Sequence, residues 1–361
     1  MTPQSYYRCW VEVDLDALRH NVAAIRRRIG KAKLCAVVKA DAYGHGLAQV
    51  AGTLMQCGVD AFAVANLTEA LVLRQVGGPG WPILLLGSAL PFEIEKIIEQ
   101  NITPTISTLD EARAFSALGR PVSVHIEIDT GMGRVGFWHE DAGAAIAQIA
   151  ALPHLKIEAL YTHFPSADDN LAETRRELDL FLKVAGSNVL RHAANSAALL
   201  NLPESHLDMV RAGLVLYGIA PDFQPVLSFK ARVAFVKTVD AGRTISYGQT
   251  FVAPRPMQIA TIAAGYADGF ARHLSNAAPV LIHGRRCAVV GRVTMDQIMV
   301  DVTGLDHVAC GDEVVFIGRQ LDAEITASEV AAWSGTIAWE VLCGITKTAR
   351  VPRLYRGASA A

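Results

Sequence analysis

The sequence predicts an α/β protein with two parts: a (β/α)8 barrel of the TIM type, followed by a mainly antiparallel β domain. From Trp10 to about residue 227, short apolar runs alternate with amphipathic helical stretches, as the units of a barrel do. After Pro225 the apolar runs are β-rich and are interrupted by glycines and prolines. We therefore expect a barrel domain at 1–227 and a β domain at 228–361.

The barrel prediction depends on a series of about eight strand–helix units. A first helix places Leu18, Val22 and Ile25 on one face and ends at Gly30. The strand candidates that follow it are 34–39, 61–65, 83–86, 103–107, 122–129, 157–163, 189–193 and 207–210, separated by helical stretches such as 47–57, 68–76, 94–100, 141–151 and 173–185. A doubly wound open sheet is the alternative. It is disfavoured because no GxGxxG motif follows the first strand and because candidate functional residues end many strands.

The β domain is predicted from apolar runs and their punctuation. The runs are 226–239, 258–264, 280–282, 287–293, 298–302 and 313–317, and only 327–333 indicates a helix. Prolines at 254, 256 and 279 and several glycines separate them, which is typical of turns between antiparallel strands.

Composition excludes several classes of protein. A formal net charge of −2 gives no reason to expect nucleic acid or an anionic membrane as a partner. Residues 1–8 lack the apolar core of a signal peptide, and no apolar run approaches the roughly 18 residues of a membrane span. Six cysteines lie scattered without CxxC spacing, and there is no zinc motif. We therefore expect a cytoplasmic protein with reduced thiols and no metal.

The stretch 34–46 carries the first chemical signal. An apolar run typical of a buried parallel strand ends in Lys39, and Gly44 and Gly46 then open a turn. Desolvation at such a place favours a neutral amine, and a neutral amine forms a Schiff base with an aldehyde. Alternatively, Lys39 is an ordinary strand-end lysine whose ammonium group reaches solvent.

Other polar residues end predicted strands in the same way. Besides Lys39 they are Asp129, His163, Asn195 and Arg211. In a TIM barrel the carboxyl ends of the strands share one rim, and active sites lie there. The repetition therefore predicts an active site at this rim.

Several segments resemble those of the bacterial alanine racemases, and the resemblance extends over essentially the whole chain. They are VKADAYGHG (38–46), DTGMGR (129–134), YTHF (161–164), NSAA (195–198), RAGL (211–214), GYADG (265–269) and GRVTMDQ (291–297). The resemblance implies a barrel that binds pyridoxal 5'-phosphate and a β domain that completes the active site of the partner in a homodimer. It also implies an isomerase that interconverts L-alanine and D-alanine by a two-base mechanism.

Cofactor binding can be assigned to residues by this resemblance. Asn195 or Ser196 can cap a helix, and Gly213 lies just past a strand, where backbone N–H groups can face an anion, although ordinary capping and turn chemistry would leave the same pattern. In the family, Ser196, Gly213 and Leu214 would hold the phosphate with help from Tyr43. Arg211 would donate to the pyridine nitrogen; a structural ion pair is the alternative.

The two bases are also assigned by resemblance. Racemisation needs one base on each face of Cα: Lys39 would act on the D face and Tyr266 of the partner subunit on the L face. A tyrosine needs cationic or hydrogen-bonding help to act near neutral pH, and His163 would link Tyr266 towards Arg211. Without the resemblance, a core histidine is the better interpretation of His163, and a core residue of the β domain is the alternative for Tyr266.

Substrate binding is assigned to two glycine-containing loops. Arg134 can clamp a carboxylate with two parallel N–H bonds, and in the family it also contacts the phenolic oxygen of the cofactor. Met295 would contribute its backbone N–H to the carboxylate, with Asp296 beside it in a supporting role.

The chain departs from the family pattern at two positions. Many members carry a lysine that becomes carboxylated where this chain has Glu127; we expect Glu127 to supply the negative charge near Arg134 directly, although its side chain is shorter. A structural barrel carboxylate with another partner is the alternative. Members usually carry a tyrosine that contacts the phosphate where this chain has Trp339, whose indole can donate a hydrogen bond but cannot accept one.

Several alternatives remain open at this stage. A racemase of the same fold acting on serine, lysine or a broad set of amino acids would keep the same rim residues. A non-catalytic pyridoxal-phosphate carrier would lack the β domain, and a decarboxylase would carry a Gly-Pro-x-Cys segment that this sequence does not contain. The sequence does not tell whether D-alanine is supplied to the cell wall or degraded.

Overall fold

The computed structural model describes residues 6–357. These residues form two compact units. The barrel unit consists of residues 18–42 and 46–223, and the β unit consists of residues 6–17, 43–45 and 224–357. The outermost residues of the predicted domains, 1–5 and 358–361, lie outside the described residues.

Eight parallel strands close the barrel within residues 33–212. In chain order they are Lys33–Val37, Ala61–Val64, Ile83–Ser88, Thr103–Ile106, Val122–Asp129, Leu155–Tyr161, Leu190–His192 and Met209–Ala212. The ring closes where Met209 pairs with Lys33 and where Thr105 pairs with His125. Most side chains along these strands are buried, as expected where helices cover a parallel sheet. The predicted barrel is confirmed.

Helices alternate with the barrel strands. They are Leu15–Ile29, Leu47–Gln56, Leu67–Gly77, Ile94–Glu99, Leu109–Ala117, His139–Ala150, Leu171–Val184 and Ser196–Asn201, and a short strand Phe137–Trp138 precedes one of them. Several begin at polar caps: the side chains of Asn66, Thr108 and Asn170 each accept a hydrogen bond from a backbone N–H of the first turn.

The β unit is mainly antiparallel, as predicted. Its strands are Cys9–Asp14, Leu227–Val239, Thr244–Ile245, Phe251–Val252, Met257–Ile262, Pro279–Ile282, Arg285–Ala288, Ile298–Asp301, Glu313–Gln320, Ala323–Ile325 and Arg353–Arg356, and its helices are Ala327–Ser334 and Ala338–Gly344. The prediction of a single helix in this part was wrong, because Ala338–Gly344 is too short to show a clear helical period. Phe229, Phe270 and Phe316 pack together in its core.

The amino-terminal strand differs from the predicted domain division. Cys9–Asp14 pairs antiparallel with Leu227–Val239 and parallel with Arg353–Arg356, so it belongs to the β unit, not to the barrel. Its apolar residues predict a buried strand but contain no information about which sheet it joins. Residues 43–45 are likewise held in the β unit, where Arg353 donates to the carbonyl of Gly44.

Two barrel strands end earlier than predicted. Lys33–Val37 and Leu155–Tyr161 each stop two residues before the predicted ends at Lys39 and His163. The last strand begins at Met209 rather than at Leu207, which has a positive φ of 48°. Within the described residues, none of the helices combines the length and apolarity that crossing a membrane requires.

Candidate active site

Lys39 opens a single turn of left-handed helix, Lys39–Tyr43. Ala40, Asp41 and Ala42 have φ values of 54°, 57° and 54°, a conformation that costs an L-residue roughly 1–2 kcal/mol. Hydrogen bonds hold the strained turn: the amide of Ala40 donates to one carboxylate oxygen of Glu69 at 2.6 Å, and the amide of Leu47 donates to the carboxylate of Asp41 at 2.7 Å. The backbone that carries Lys39 is therefore fixed by its surroundings.

Arg211 is buried in the barrel with its terminal nitrogens fully engaged. Nη1 donates to Nδ1 of His192 at 2.7 Å and to the carbonyl of the same residue at 3.2 Å. Nη2 donates to the carbonyls of Thr162 and Ala193 and to Nδ1 of His163 at 3.3 Å. Within the described residues, Nε is the one guanidinium nitrogen for which no acceptor is found. The guanidinium is thus held rigidly with one donor left.

The contacts of Arg211 define the protonation of three histidines. An arginine can only donate, so Nδ1 of His192 must accept. Its Nε2 therefore carries the proton and donates it to Nδ1 of His125, 3.0 Å away. Burial, and after it the charge of Arg211, lowers the pKa of His163 and of His125 to about 3 and that of His192 well below its ordinary value. All three are neutral at physiological pH, with Nε2 protonated.

Glu127 lies in the same buried network, on Tyr161. The hydroxyl of Tyr161 donates to the Glu127 carboxylate at 2.7 Å, and the Tyr161 ring stacks on His192 with centroids 4.7 Å apart. Burial raises the pKa of Glu127, while the Tyr161 hydrogen bond and the charges of Arg211 and Arg134 oppose that rise. Within the barrel unit, no ion pair joins Glu127 to Arg134 directly; Tyr161 is the hydrogen-bond partner of its carboxylate, and the charge of Arg134 still acts on it.

A serine and a short turn form the region predicted to bind phosphate. Asn195 caps the helix Ser196–Asn201 by accepting from the amide of Ala198. Oγ of Ser196 accepts from the amide of Gly213 at 2.9 Å, which ties the helix start to the turn that begins at Leu214. Because Oγ of Ser196 accepts there, its own proton remains to be donated to an anion.

Arg134 lies on an exposed loop organised by Asp129. The two carboxylate oxygens of Asp129 accept from the amides of Gly131 and Gly133 at 2.9 and 2.8 Å. The buried carboxyl of Glu177 lies so close to Gly131 that a side chain there would collide with it. The loop therefore has little freedom at its base, while Arg134 itself is exposed.

In the β unit, Tyr266 and Met295 are adjacent. The amide of Tyr266 donates to the carbonyl of Thr294, and the amide of Ala267 donates to the carbonyl of Met295, both at 3.0 Å. Tyr266, Met295 and Asp296 line a cavity of about 430 Å³. Tyr266 and Met295 are 43% and 53% exposed, unusually large values for apolar side chains next to each other.

Tyr43 and Trp339 are carried by neighbouring elements of the β unit. Trp339 is half-buried in the helix Ala338–Gly344. The carbonyl of Leu342 in that helix lies where a side chain at Gly44 would point, so only glycine fits beside Tyr43. The structure therefore brings the Tyr43 segment and the Trp339 helix together.

Comparison with known proteins gives the family. The model of the alanine racemase N-terminal domain matches residues 13–221, and that of the alanine racemase C-terminal domain matches residues 226–355. The chain belongs to the alanine racemase family. The predicted family and fold class, and with them the prediction of an isomerase, are confirmed.

Individual relatives agree along the whole chain. An alanine racemase of Carboxydothermus hydrogenoformans is 43% identical, over 96% of this chain and 99% of the relative. Solved alanine racemases have the same fold: one from Clostridium difficile has a TM-score of 0.90 at 37% identity, covering 97% of this chain and 96% of that one. One from E. faecalis has a TM-score of 0.91 at 32% identity, covering 97% and 99%.

Within this family member, the structure adds residues that the sequence did not single out. His192 and Tyr161 connect Glu127 to Arg211, Glu69 holds the Lys39 turn, and Arg350 contacts the β-unit loops. Alternation along the strand could have indicated Tyr161, which shares a face with His163. No local sequence pattern indicates His192, Glu69 or Arg350, because each contacts a residue far away in the sequence.

Proposed function

We propose that this chain interconverts L-alanine and D-alanine with pyridoxal 5'-phosphate held on Lys39. One observation carries the proposal: Arg211 is buried, its terminal nitrogens are engaged by histidines and carbonyls, and Nε is left to donate. A fixed cationic donor at the rim of a barrel suits a ring nitrogen that must stay unprotonated, because arginine does not give up its proton.

The residues present fit this cofactor. Lys39 supplies an amine for its aldehyde, and Ser196 and Leu214 offer a hydroxyl and a turn amide for its phosphate. Gly213 ties that turn to Ser196, and Asn195 holds the helix start. Phosphate contacts of Tyr43 and Trp339 are proposed on the family resemblance. When bound, the cofactor withdraws the electron pair left at Cα after deprotonation, less strongly opposite an arginine than opposite a carboxylate.

Two bases act on opposite faces of Cα. Nζ of Lys39 takes or returns the proton on the D face, and the phenolic oxygen of Tyr266 of the partner subunit does so on the L face. Nδ1 of His163 accepts from Arg211, so its protonated Nε2 can donate to the phenolic oxygen and stabilise the anionic form that accepts a proton.

A homodimer explains the exposed surface around Tyr266. Tyr247, Tyr266 and Met295 are 72%, 43% and 53% exposed and line one cavity, which a second copy of the chain would cover. Sedimentation at micromolar concentration tests this: we expect a dimer, and a monomer with full activity would contradict the shared site. None of the six cysteines, all within the described residues, forms a disulfide, which fits a reducing cytoplasm.

Arg134 and the backbone amide of Met295 of the partner subunit hold the substrate carboxylate. Glu127 acts on Arg134 through space, since its carboxylate is occupied by Tyr161 while the two charges still influence each other. Asp296 supports the Met295 loop. Alanine is the substrate expected from family membership, and serine and lysine are tested beside it.

The first experiment measures enantiomer conversion by the cofactor-loaded protein, offered L-alanine, L-serine and L-lysine separately. Lys39→Ala and Tyr266→Phe should abolish conversion of alanine, whereas Lys33→Ala, which removes an exposed lysine from the same strand region, should not. Borohydride reduction should attach the cofactor covalently to wild type and to Lys33→Ala, but not to Lys39→Ala, as mass spectrometry would show. Cofactor-loaded protein that is inert on all three amino acids would overturn the proposal.

A further inference from the structure

Arg350 joins the two β-unit loops that carry the site residues. Its Nε donates to Oδ1 of Asp268 at 2.5 Å, and its Nη2 donates to Oδ2 of Asp268 at 3.2 Å and to Oδ1 of Asp296 at 2.5 Å. Asp268 ends the turn Tyr266–Asp268, and Asp296 directly follows Met295. The guanidinium of Arg350 therefore binds one carboxylate from each loop: one from the loop of Tyr266 and one from the loop of Met295.

The carboxylate of Asp268 is the inner anchor of this arrangement. Its side chain is only 3% exposed, and Oδ2 also accepts from the amide of Gly265 at 2.8 Å. A charge so deeply buried needs a partner, and Arg350 is the cation that the structure gives it. Asp296 is exposed, so its ion pair with Arg350 is the outer of the two and can adjust its geometry.

The two loops are also interlocked through their backbones. At Gly265 a side chain would collide with the carbonyls of Thr294 and Met295, so the backbones of the two loops are in direct contact. Thr346, close to Arg350 in sequence, donates through its hydroxyl to the carbonyl of Ala267 at 2.7 Å. A displacement of either loop therefore moves Tyr266 and Met295 together.

We propose that Arg350 is a positioning residue for the L-face base: it holds the Tyr266 turn against the Met295 loop, so that the phenolic oxygen and the Met295 amide keep a fixed separation. This inference rests on the proposed role of Tyr266. The planar guanidinium is required because it bonds two carboxylates at once in a fixed geometry. A lysine ammonium on its flexible side chain would fix that geometry far less well.

The test compares α-deuterium isotope effects in the two directions, using the cofactor-loaded dimer. Misplacing Tyr266 slows proton transfer on the L face only. The effect with α-deuterated L-alanine should therefore rise, while that with α-deuterated D-alanine, where Lys39 removes the proton, should fall towards one. In Arg350→Met we expect kcat/KM to drop about 10-fold or more with this opposite movement of the two isotope effects. Arg350→Lys should recover part of the loss.

Controls separate this proposal from a merely structural role. A lower fraction of folded enzyme reduces kcat but leaves both isotope effects unchanged, and that outcome would overturn the inference. Asp296→Asn removes the outer ion pair of Arg350 without leaving a buried charge unpaired. It should move the isotope effects in the same directions by a smaller amount. Arg319→Met removes an exposed arginine that pairs with Glu324 in the same unit, and it should leave all parameters unchanged.

The proposed function and this inference fail in different ways. If Tyr266→Phe keeps the wild-type rate, the assignment of the L-face base is wrong. If Tyr266→Phe is inactive but Arg350→Met keeps wild-type isotope effects in both directions, only the role of Arg350 is refuted.

Discussion

The barrel unit and the β unit hold their candidate site residues by opposite means. In the barrel, Arg211 is 3% exposed and is surrounded by neutral histidines, a tyrosine and carbonyls. In the β unit, Tyr266 and Met295 are exposed, and the ion pairs of Arg350 hold their loops. Burial gives the barrel groups fixed protonation states. The ion pairs fix the geometry of loops that must remain accessible.

The largest expected effect comes from breaking the buried side of this comparison. Arg211→Lys keeps a positive charge but cannot bond the rings of His163 and His192 and three carbonyls while presenting a further donor. Loss of one fixed electrostatic contact typically lowers kcat about 10²–10³-fold, and we expect a decrease of that order. Steady-state kinetics and the absorbance of the bound cofactor check it. A kcat of Arg211→Lys equal to that of the wild type would show that the guanidinium of Arg211 is not needed.

Acid should destabilise the barrel unit through its buried histidines. His125 and His163 have folded-state pKa values of about 3, because burial and then the charge of Arg211 disfavour the cation, and the ordinary value is 6.5. The unfolded chain binds these protons first. Stability present above pH 6.5 is therefore lost as the pH falls towards 3, by about 2 kcal/mol per histidine between pH 6.5 and pH 5.

Hydrogen exchange at pH 7 and pH 5 measures this loss, because it reports the two units separately. Protection should fall in peptides of the barrel strands Val122–Asp129 and Leu190–His192 more than in the β strands. Equal losses in both units would show that the histidines do not dominate.

We expect the buried carboxyl of Glu177 to change the stability by a smaller amount and with the opposite dependence on pH. Burial first, and then the charge of Glu173, raises its pKa to about 7 from 4.5, and Arg176 opposes the rise. The folded state therefore favours the protonated form, and its contribution is lost as the pH rises through 7. Glu177→Gln should stabilise the protein by about 2 kcal/mol at pH 8 and by almost nothing at pH 4.

Denaturant unfolding of Glu177→Gln at both pH values checks this prediction. Asp179→Asn is the matched control: it removes an exposed carboxylate from the same helix, so it should change stability little at either pH. A gain that is the same at pH 4 and pH 8 would contradict the titration of Glu177.

The smallest effect is expected at Glu127. If its charge steadies Arg134 from a distance, Glu127→Gln should raise the KM for alanine about 10-fold or less, with a smaller change in kcat. The amide can still accept from Tyr161, so the network around Arg211 should persist. Normal substrate affinity and turnover would end the proposed role of this carboxylate.

The sequence predicted those features that depend on local order along the chain. Lys39, His163, Asn195 and Arg211 each follow an apolar run, and the geometry of a barrel places such positions on one rim. The partner of Glu127 could not be predicted in this way. Whether its carboxylate meets Arg134 or Tyr161 depends on side-chain distances between separate strands, which period-2 alternation does not contain.

The sheet of the β unit shows a second limit of local pattern. Cys9–Asp14 has the composition of any buried strand, and its neighbours are found more than 200 positions later, at Leu227–Val239 and Arg353–Arg356. The left-handed turn at Ala40–Ala42 was likewise not predictable, because its residues are not the glycines that this conformation favours. It exists because Glu69 and Asp41 hold it.

The position of Cys9–Asp14 between Leu227–Val239 and Arg353–Arg356 makes the barrel an insertion within the β unit. During synthesis on the ribosome, Cys9–Asp14 emerges before the barrel and cannot pair with Leu227–Val239 until the whole barrel has been translated. The barrel can complete its own closure in that interval.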